Sequence, residues 1–217
     1  MKKYLSKKVF VSASADKTLT DHLIGAGYEP ELVYAKGKLQ EPVSMHPDMY
    51  MCAFKDDIFF GEEALLSEKY PGDVLYNAAA VGGYFICSRF TSPKLLKYAK
   101  EKGLLEVEVP QGYVKCNLAV IDDMHVITED AGIEKVLKSR TDLKVLRIEP
   151  KCVKLPGYPY GFIGGASGRV GNEMIFNGNL SLHPDFLKIT AFIKDCGVEV
   201  KYFEEYGLTD IGSIIAV

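Results

Sequence analysis

The sequence is poor in the residues that build metal sites and in the charge that attracts polyanions. It has four histidines and five cysteines in 217 residues, and no cysteine belongs to a CxxC or CxxH pair. A structural zinc site is therefore not expected, and we predict no metal and no cofactor. Lysine plus arginine (26) nearly balance aspartate plus glutamate (29), so the net charge is −3. Without a basic field, a nucleic-acid partner is not expected.

The sequence also lacks a long hydrophobic run. The basic start MKKYLSKKVFVSASADK contains an apolar stretch that Ser12 and Ser14 interrupt before a charged helix, which is typical of neither a signal peptide nor a membrane span. Five cysteines are an odd number, in a chain too large to need disulfide staples. This cysteine usage predicts reduced thiols and a cytoplasmic location. The lack of a long apolar run predicts no membrane partner. A homo-oligomer is left open.

A helix followed at once by a strand recurs along the chain. The clearest helix signal is TSPKLLKYAKEKG, with Ser92 as N-cap, Pro93 at the first position and Gly103 just past the end. The alternating strand LLEVEV follows it. The same succession returns in DAGIEKVLKSRTDLKVLRIEP and in HPDFLKITAFIKDCGVEVKYFEE, where Pro184 is predicted to open the helix and Gly197 to end it. Three such successions indicate a repeat.

Each of these helices follows two short apolar runs that a tight-turn pair separates. The runs are LYNAAAV-GG-YFICSRF, KCNLAVI-DD-MHVITED and GASGRV-GN-EMIFNGN, so the predicted unit is ββαβ. The segment MHPDMYMCAF-KDD-IFFGEEALLSEKY predicts a fourth unit, with a shorter helix from about Glu62 to Lys69. The first strand, helix and strand of the chain, together with the closing run DIGSIIAV, complete a fifth.

These units predict one α/β domain over residues 1–217. Its expected form is a five-fold pseudosymmetric αβ-propeller of ββαβ modules around a central pore. Pairing of the N-terminal and C-terminal strands closes the ring, because an unpaired edge strand is a liability. The alternative is an ordinary mixed α+β sandwich, which tolerates similar alternation without circular symmetry.

Five such units, the stretch GASGRVGNEMIFNGNLSLHPDF and the closing DIGSIIAV resemble the pentein fold of the guanidino-group-modifying enzyme superfamily. The likeness is greatest to a bacterial branch with no assigned activity. The superfamily includes arginine and agmatine deiminases, dimethylarginine hydrolases and amidinotransferases. The resemblance implies a guanidino-group hydrolase or transferase, in which a cysteine of the last strand attacks the guanidinium carbon, assisted by a histidine and carboxylates. The same fold occurs in the ribosome anti-association factor of archaea and eukaryotes, so a non-enzymatic interaction protein is an alternative.

This sequence departs from the pattern that the resemblance implies. Gly212 and Ser213 occupy the places of the terminal histidine-cysteine pattern, and the predicted strand YVKCNLAVI has Lys115 and Asn117 where a histidine and an acid would stand. A serine alcohol stays protonated without a strong base. We therefore expect the pore to bind a small polar, guanidino or amino-acid-like ligand without the family's catalytic residues.

The alternative activity is a hydrolase or deiminase with a rearranged nucleophile, Cys52 or Cys116. We expect both thiols to be small buried hydrophobes, because alternation turns Cys116 to the opposite strand face from Lys115. The segment LPGYPYGF is predicted to be a connector packed over a module, with a binding platform as the alternative.

Several polar residues are candidates to line the pore. His46 and Asp48 share one side of the first hairpin strand, if that strand begins there; the alternative is a turn with an exposed His46. Asn77 and Asn117 stand at matching places before their turn pairs, although each could instead satisfy its own backbone. Arg169, in a glycine-rich run that a strand follows, could hold a carboxylate or face solvent. The candidate lining is His46, Asp48, Asn77, Lys115, Asn117, Arg169, Asp210 and Ser213.

Overall fold

The structure is a computed structural model that describes residues 7–41 and 43–216. It is a mixed α/β fold. The strands of the described residues form five small sheets. The first sheet contains β1 (Lys8–Ser12), β2 (Glu29–Val33) and β14 (Ile215–Ala216); the second β3 (Met51–Phe54) and β4 (Asp57–Phe60); the third β5 (Ala79–Val81), β6 (Tyr84–Cys87) and β7 (Leu105–Glu108); the fourth β8 (Leu118–Val120), β9 (His125–Thr128) and β10 (Lys144–Arg147); the fifth β11 (Ser167–Val170), β12 (Glu173–Phe176) and β13 (Glu199–Lys201).

Five α-helices accompany these sheets among the described residues. They are α1 (Lys17–Gly25), α2 (Pro93–Glu101), α3 (Val114–Asn117), α4 (Ala131–Arg140) and α5 (Phe186–Asp195). No helix in the described part of the chain is both long and apolar enough to cross a membrane. The longer helices each bury a pair of side chains four residues apart, such as Leu95 and Ala99 of α2 or Ile189 and Ile193 of α5. This spacing places both side chains on the face that packs against the sheet.

The third, fourth and fifth sheets confirm the predicted ββαβ unit. In each, two antiparallel strands form a hairpin, and a third strand returns after a helix to pair in parallel with the second. Gly82 and Gly171 have positive φ in two of the hairpin turns, where a side chain would strain the backbone. Helix α2 begins after Ser92 as predicted. Helix α5 begins two residues later than Pro184, because Asp185 is its N-cap.

The predicted helix of the second unit is wrong. Only a short 3-10 turn, Glu63–Leu65, forms between Glu62 and Lys69, and among the described residues the β3–β4 sheet has no third strand. The Ser67 N–H donates to the Gly72 carbonyl at 3.0 Å, so the chain turns at Pro71 instead of extending a helix, which proline cannot continue.

The predicted pairing of the chain ends is confirmed. β14 pairs antiparallel with β1, with Val9 opposite Ala216 and Phe10 opposite Ile215, while β1 pairs in parallel with β2 on its other side. This arrangement covers an edge of β1 that would otherwise present unpaired backbone groups. It also brings the turn before β14 back against residues from the first half of the chain.

Candidate ligand-binding site

A group of five polar side chains, four of them buried and one partly exposed, lies between two cavities of the described structure. We call it the polar cluster; its members are Asp48, Asn77, Lys115, Cys116 and Ser213. A cavity of about 210 Å³ on one side, the aromatic cavity, is lined by Cys116 together with His46, Asp210 and several aromatic rings. A cavity of about 230 Å³ on the other side, the lysine cavity, is lined by Lys115, Cys52 and Arg169.

Asp48 reaches the cluster from a 3-10 turn, Pro47–Met49, and not from the predicted strand. Pro47 at the first position suits a helical turn, and the Asp48 N–H donates to the Gly212 carbonyl at 3.1 Å, which fixes the turn against the C-terminal segment. The alternative, a turn with an exposed His46, is right about the turn. It is wrong about the exposure, because His46 is only 2% exposed. His46 and Asp48 are both buried near the same cavity.

Lys115 and Cys116 lie on the short helix α3, where the sequence predicted a strand. Their side chains diverge, so that Lys115 lines the lysine cavity and Cys116 the aromatic cavity. The Cys116 thiol donates to Asp48 Oδ2 at 3.1 Å, and Asn77 Nδ2 donates to the Cys116 sulfur at 3.2 Å. Cys116 is thus buried, as expected, but in polar contacts and not as a simple hydrophobe.

Ser213 connects Lys115 to Asp48. Its Oγ accepts a hydrogen bond from Lys115 Nζ at 3.0 Å and lies 2.7 Å from Asp48 Oδ2. The predicted strand does not include this residue: Gly212 and Ser213 both have positive φ (72° and 73°), and β14 begins only at Ile215. A left-handed serine costs about 1–3 kcal/mol, and such strain clusters at functional sites. A Cβ on Gly212 would lie 2.1 Å from His46 Cβ, so only glycine permits this approach.

Asp210 forms the acidic end of the aromatic cavity. It is 3% exposed, and it accepts hydrogen bonds from the backbone N–H groups of Phe162 and Gly212, both at 2.9 Å. Gly165 packs so closely on it that an added Cβ would lie 2.1 Å from Asp210 Oδ1. The carboxylate is therefore held in one position before any ligand arrives.

We expect Gly165→Ala to displace Asp210 and to lower the melting temperature, because the added methyl group overlaps a buried carboxylate. Gly83→Ala is the matched control, since a Cβ there meets no atom within 4 Å. Thermal denaturation of both variants checks this. A Gly165→Ala protein as stable as the control would contradict the rigid placement of Asp210.

Burial governs the ionisation of the acids around the aromatic cavity. It raises the pKa of Asp210 to about 6 and the pKa of Glu129 to about 7, although backbone N–H donors oppose both shifts. It also raises the pKa of Asp48, where nearby His46 and Lys115 oppose it. The pKa of Lys115 is lowered by burial. Burial thus disfavours the ionised form of all three carboxyl groups.

Aromatic side chains wall the cavity around Asp210. Tyr113 lies on one side, and Tyr158, Tyr160 and Phe162 come from the segment LPGYPYGF. This segment therefore does more than connect modules: it supplies one wall of the cavity, as in the platform alternative. Aromatic faces carry negative electrostatic potential, so this wall favours a cation.

Three buried polar atoms near Asp210 have no hydrogen-bond partner among the described residues. They are His46 Nδ1, Asp48 Oδ1 and Glu129 Oε2. His46 Nδ1 lies 3.8 Å from Asp210 Oδ1, which is too far for a hydrogen bond. An unpaired buried polar group costs about 1–3 kcal/mol, so these atoms are candidate hydrogen-bonding positions of the site.

The remaining predicted residues have local partners. Asn117 Nδ2 donates to the Tyr113 carbonyl at 2.9 Å, within its own turn, which agrees with the backbone alternative. Arg169 lines the lysine cavity, but its Nε donates to the Gly171 carbonyl at 2.7 Å and Nη1 to the Ile121 carbonyl at 3.0 Å. Its Nη2 donates to Asn172 Oδ1 at 3.4 Å, so all three guanidinium nitrogens have local partners.

Sequence reasoning missed Tyr113, which lines the aromatic cavity, and Glu129, whose carboxyl group lies near Asp210. Glu129 follows β9 and accepts a hydrogen bond from the Ile163 N–H at 3.1 Å, and Tyr113 donates to Asp73 Oδ2 at 2.6 Å. An acid directly after a buried strand was the available signal for Glu129. Nothing in the local pattern separates Tyr113 from the other twelve tyrosines of the chain.

Residues 57–215 match family DUF6873, which is described as a family of unknown function. The chain belongs to this family. The match begins after His46 and Asp48, and it covers Asn77, Lys115, Cys116, Asp210 and Ser213. No curated protein and no solved structure matches the chain.

Proposed function

We propose that this DUF6873 protein binds a small organic cation, guanidino or amino-acid-like, in the aromatic cavity. The observation that carries the proposal is the buried, unpaired His46 Nδ1 and Asp48 Oδ1 beside the fixed carboxylate of Asp210. A cationic head group with several N–H donors would pair with the carboxylate oxygens. The rings of Tyr113 and Phe162 would pack on its faces.

We also propose that the five sheets form a closed ring of the pentein type. In support, β3 lies against β5, β8 against β11 and β11 against β14, while β14 pairs with β1. The first strand of each hairpin is therefore the one that meets a neighbouring sheet. Such a ring would bring Asp48, Asn77, Cys116 and Ser213, from widely separated segments, to the middle of the molecule.

Charge supports a cation over an anion in the aromatic cavity. Asp210 lines it, and Asp48 contacts Cys116 of its lining, whereas the one amine of the polar cluster, Lys115, lines the other cavity. Lys115 Nζ also donates to the Leu118 and Gly164 carbonyls at 3.3 and 3.4 Å, which holds it there. An anionic ligand would meet the like charge of the Asp210 carboxylate.

Isothermal titration with L-arginine tests the proposal, with L-citrulline as a neutral analogue of the same shape. We expect L-arginine to bind and L-citrulline not to bind, and we expect Asp210→Asn to weaken L-arginine about tenfold, as for loss of a charge-assisted hydrogen bond. Asp123→Asn is the matched control, because Asp123 is exposed and pairs with Lys55 at 3.2 Å. Equal binding of both amino acids would refute a cation site.

The second candidate is thiol-dependent hydrolysis of the same ligand. Its support is that Cys116 lines the aromatic cavity with His46 and lies 3.1 Å from a carboxylate oxygen that can accept its proton. Burial raises the pKa of the Cys116 thiol well above its usual value, so the resting sulfur is protonated. A bound cation would favour the thiolate by direct charge attraction. Cys52 lines the other cavity, and burial raises the pKa of its thiol to about 12.

Incubation with L-arginine and measurement of released ammonia tests this second candidate. A hydrolase predicts release by the unaltered protein and none by Cys116→Ser. Cys52→Ser, which changes a thiol outside the aromatic cavity, should retain release. If L-arginine binds but nothing is released, the protein is a binding protein and the first proposal stands alone.

A further inference from the structure

Three metal-ligating side chains converge away from the polar cluster. Asp122 lies in the turn between β8 and β9, His125 begins β9, and Cys196 follows the last residue of α5. One ligand atom from each lies within 4.8 Å of the other two. We propose that Asp122, His125 and Cys196 bind one zinc-like divalent transition-metal ion. No sequence motif indicates this site, because the ligands come from two separate segments.

The turn holds two of these ligands in place. Asp122 Oδ1 accepts hydrogen bonds from the backbone N–H groups of Met124 and His125, both at 2.8 Å, and lies 2.9 Å from His125 Nδ1. These N–H donors, together with the imidazole, hold the pKa of Asp122 below its usual value even though burial opposes the shift. Asp122 therefore presents a carboxylate at neutral pH.

Helix α5 brings the sulfur to this turn. The Phe192 ring packs edge-on against the His125 ring, with centroids 5.6 Å apart, and the Cys196 thiol donates to the Phe192 carbonyl at 3.2 Å. That hydrogen bond is weak and ends when the thiol loses its proton to become a metal ligand. The helix end and the strand start are thus already packed together before an ion binds.

The chemistry of the three ligands selects the class of ion. One sulfur, one imidazole nitrogen and one carboxylate oxygen suit Zn²⁺ or Co²⁺, whereas Mg²⁺ and Ca²⁺ prefer oxygen ligands. Three protein ligands leave a fourth tetrahedral position for water. The site is reachable, since the His125 and Asp122 side chains are 30% and 35% exposed. Burial and the neighbouring Asp122 carboxylate raise the pKa of the Cys196 thiol, so a bound ion must displace its proton.

Cobalt spectroscopy tests the site directly. We expect Co²⁺ added to the reduced protein to give one equivalent of a thiolate-to-cobalt charge-transfer band with tetrahedral d–d absorption, and Zn²⁺ to displace it. Cys196→Ser should abolish the charge-transfer band. Asp122→Asn, which keeps the turn acceptor, should weaken cobalt binding at least tenfold. Cys152→Ser is the matched control, because Cys152 is also a partly exposed thiol but lies outside the cluster.

Thermal denaturation separates metal binding from misfolding. Zinc should raise the melting temperature of the unaltered protein and of Cys152→Ser, and it should leave that of Cys196→Ser unchanged. The proposal is overturned if no charge-transfer band appears, or if the band survives in Cys196→Ser. Either result would mean that Asp122 and His125 form a metal-free turn only.

Discussion

Asp48→Ala is expected to lower the free energy of unfolding by about 3–5 kcal/mol, as for the loss of one partner in a buried charged network. Oδ2 of Asp48 is the shared acceptor of the Ser213 hydroxyl and the Cys116 thiol. Its removal leaves both groups without that acceptor in a buried place. Lys115, which donates to Ser213, also loses a nearby opposite charge.

Urea denaturation of matched variants measures this loss. Asp48→Asn retains an acceptor oxygen without the charge, so it should cost less than Asp48→Ala. Asp123→Ala removes an exposed carboxylate that pairs with Lys55, and it should change the free energy of unfolding by at most about 0.5 kcal/mol. A loss below about 1 kcal/mol for Asp48→Ala would show that the polar cluster contributes little to stability.

Affinity for L-arginine is expected to rise with pH across the range 5 to 8. The guanidinium keeps its charge throughout this range, whereas Asp210, with a pKa raised by burial to about 6, loses its proton within it. A cation binds the ionised form, so about tenfold of affinity is lost at pH 5 through Asp210 alone.

The free energy of unfolding should fall as pH rises, whereas the affinity for L-arginine should rise. The pKa values of Asp210 and Glu129 in the folded state lie above their usual 3.8 and 4.5. Their contribution to stability is therefore fully present below about pH 4 and is lost as pH rises through 6 and 7. Titration calorimetry and urea denaturation at pH 5, 6, 7 and 8 measure both trends, and Asp210→Asn should flatten them. An L-arginine affinity that falls as pH rises would contradict ionised carboxylates as the cation's partners.

The sequence was a good guide wherever a structural rule acts over a few neighbouring residues. The start of α2 at Pro93 after Ser92, the hairpin turns at Gly82 and Gly171, and the apolar run that becomes β14 all follow from local geometry. The helix predicted for the second unit does not form, because its weak helical pattern is too short to be stable without a packed face. The chain turns at Pro71 instead.

The sequence by itself determined three of the repeating units, the absence of a long hydrophobic run and the strands near the two chain ends, because each follows from a local pattern. Only the tertiary structure decided the site. The strand alternation predicted the wrong surroundings for Cys116, because this residue lies on a single helical turn and not on a strand. Its sulfur therefore contacts Asp48. Ser213 could be placed only once its left-handed backbone was known. Contacts between distant segments depend on how the sheets pack, and no local periodicity encodes that packing.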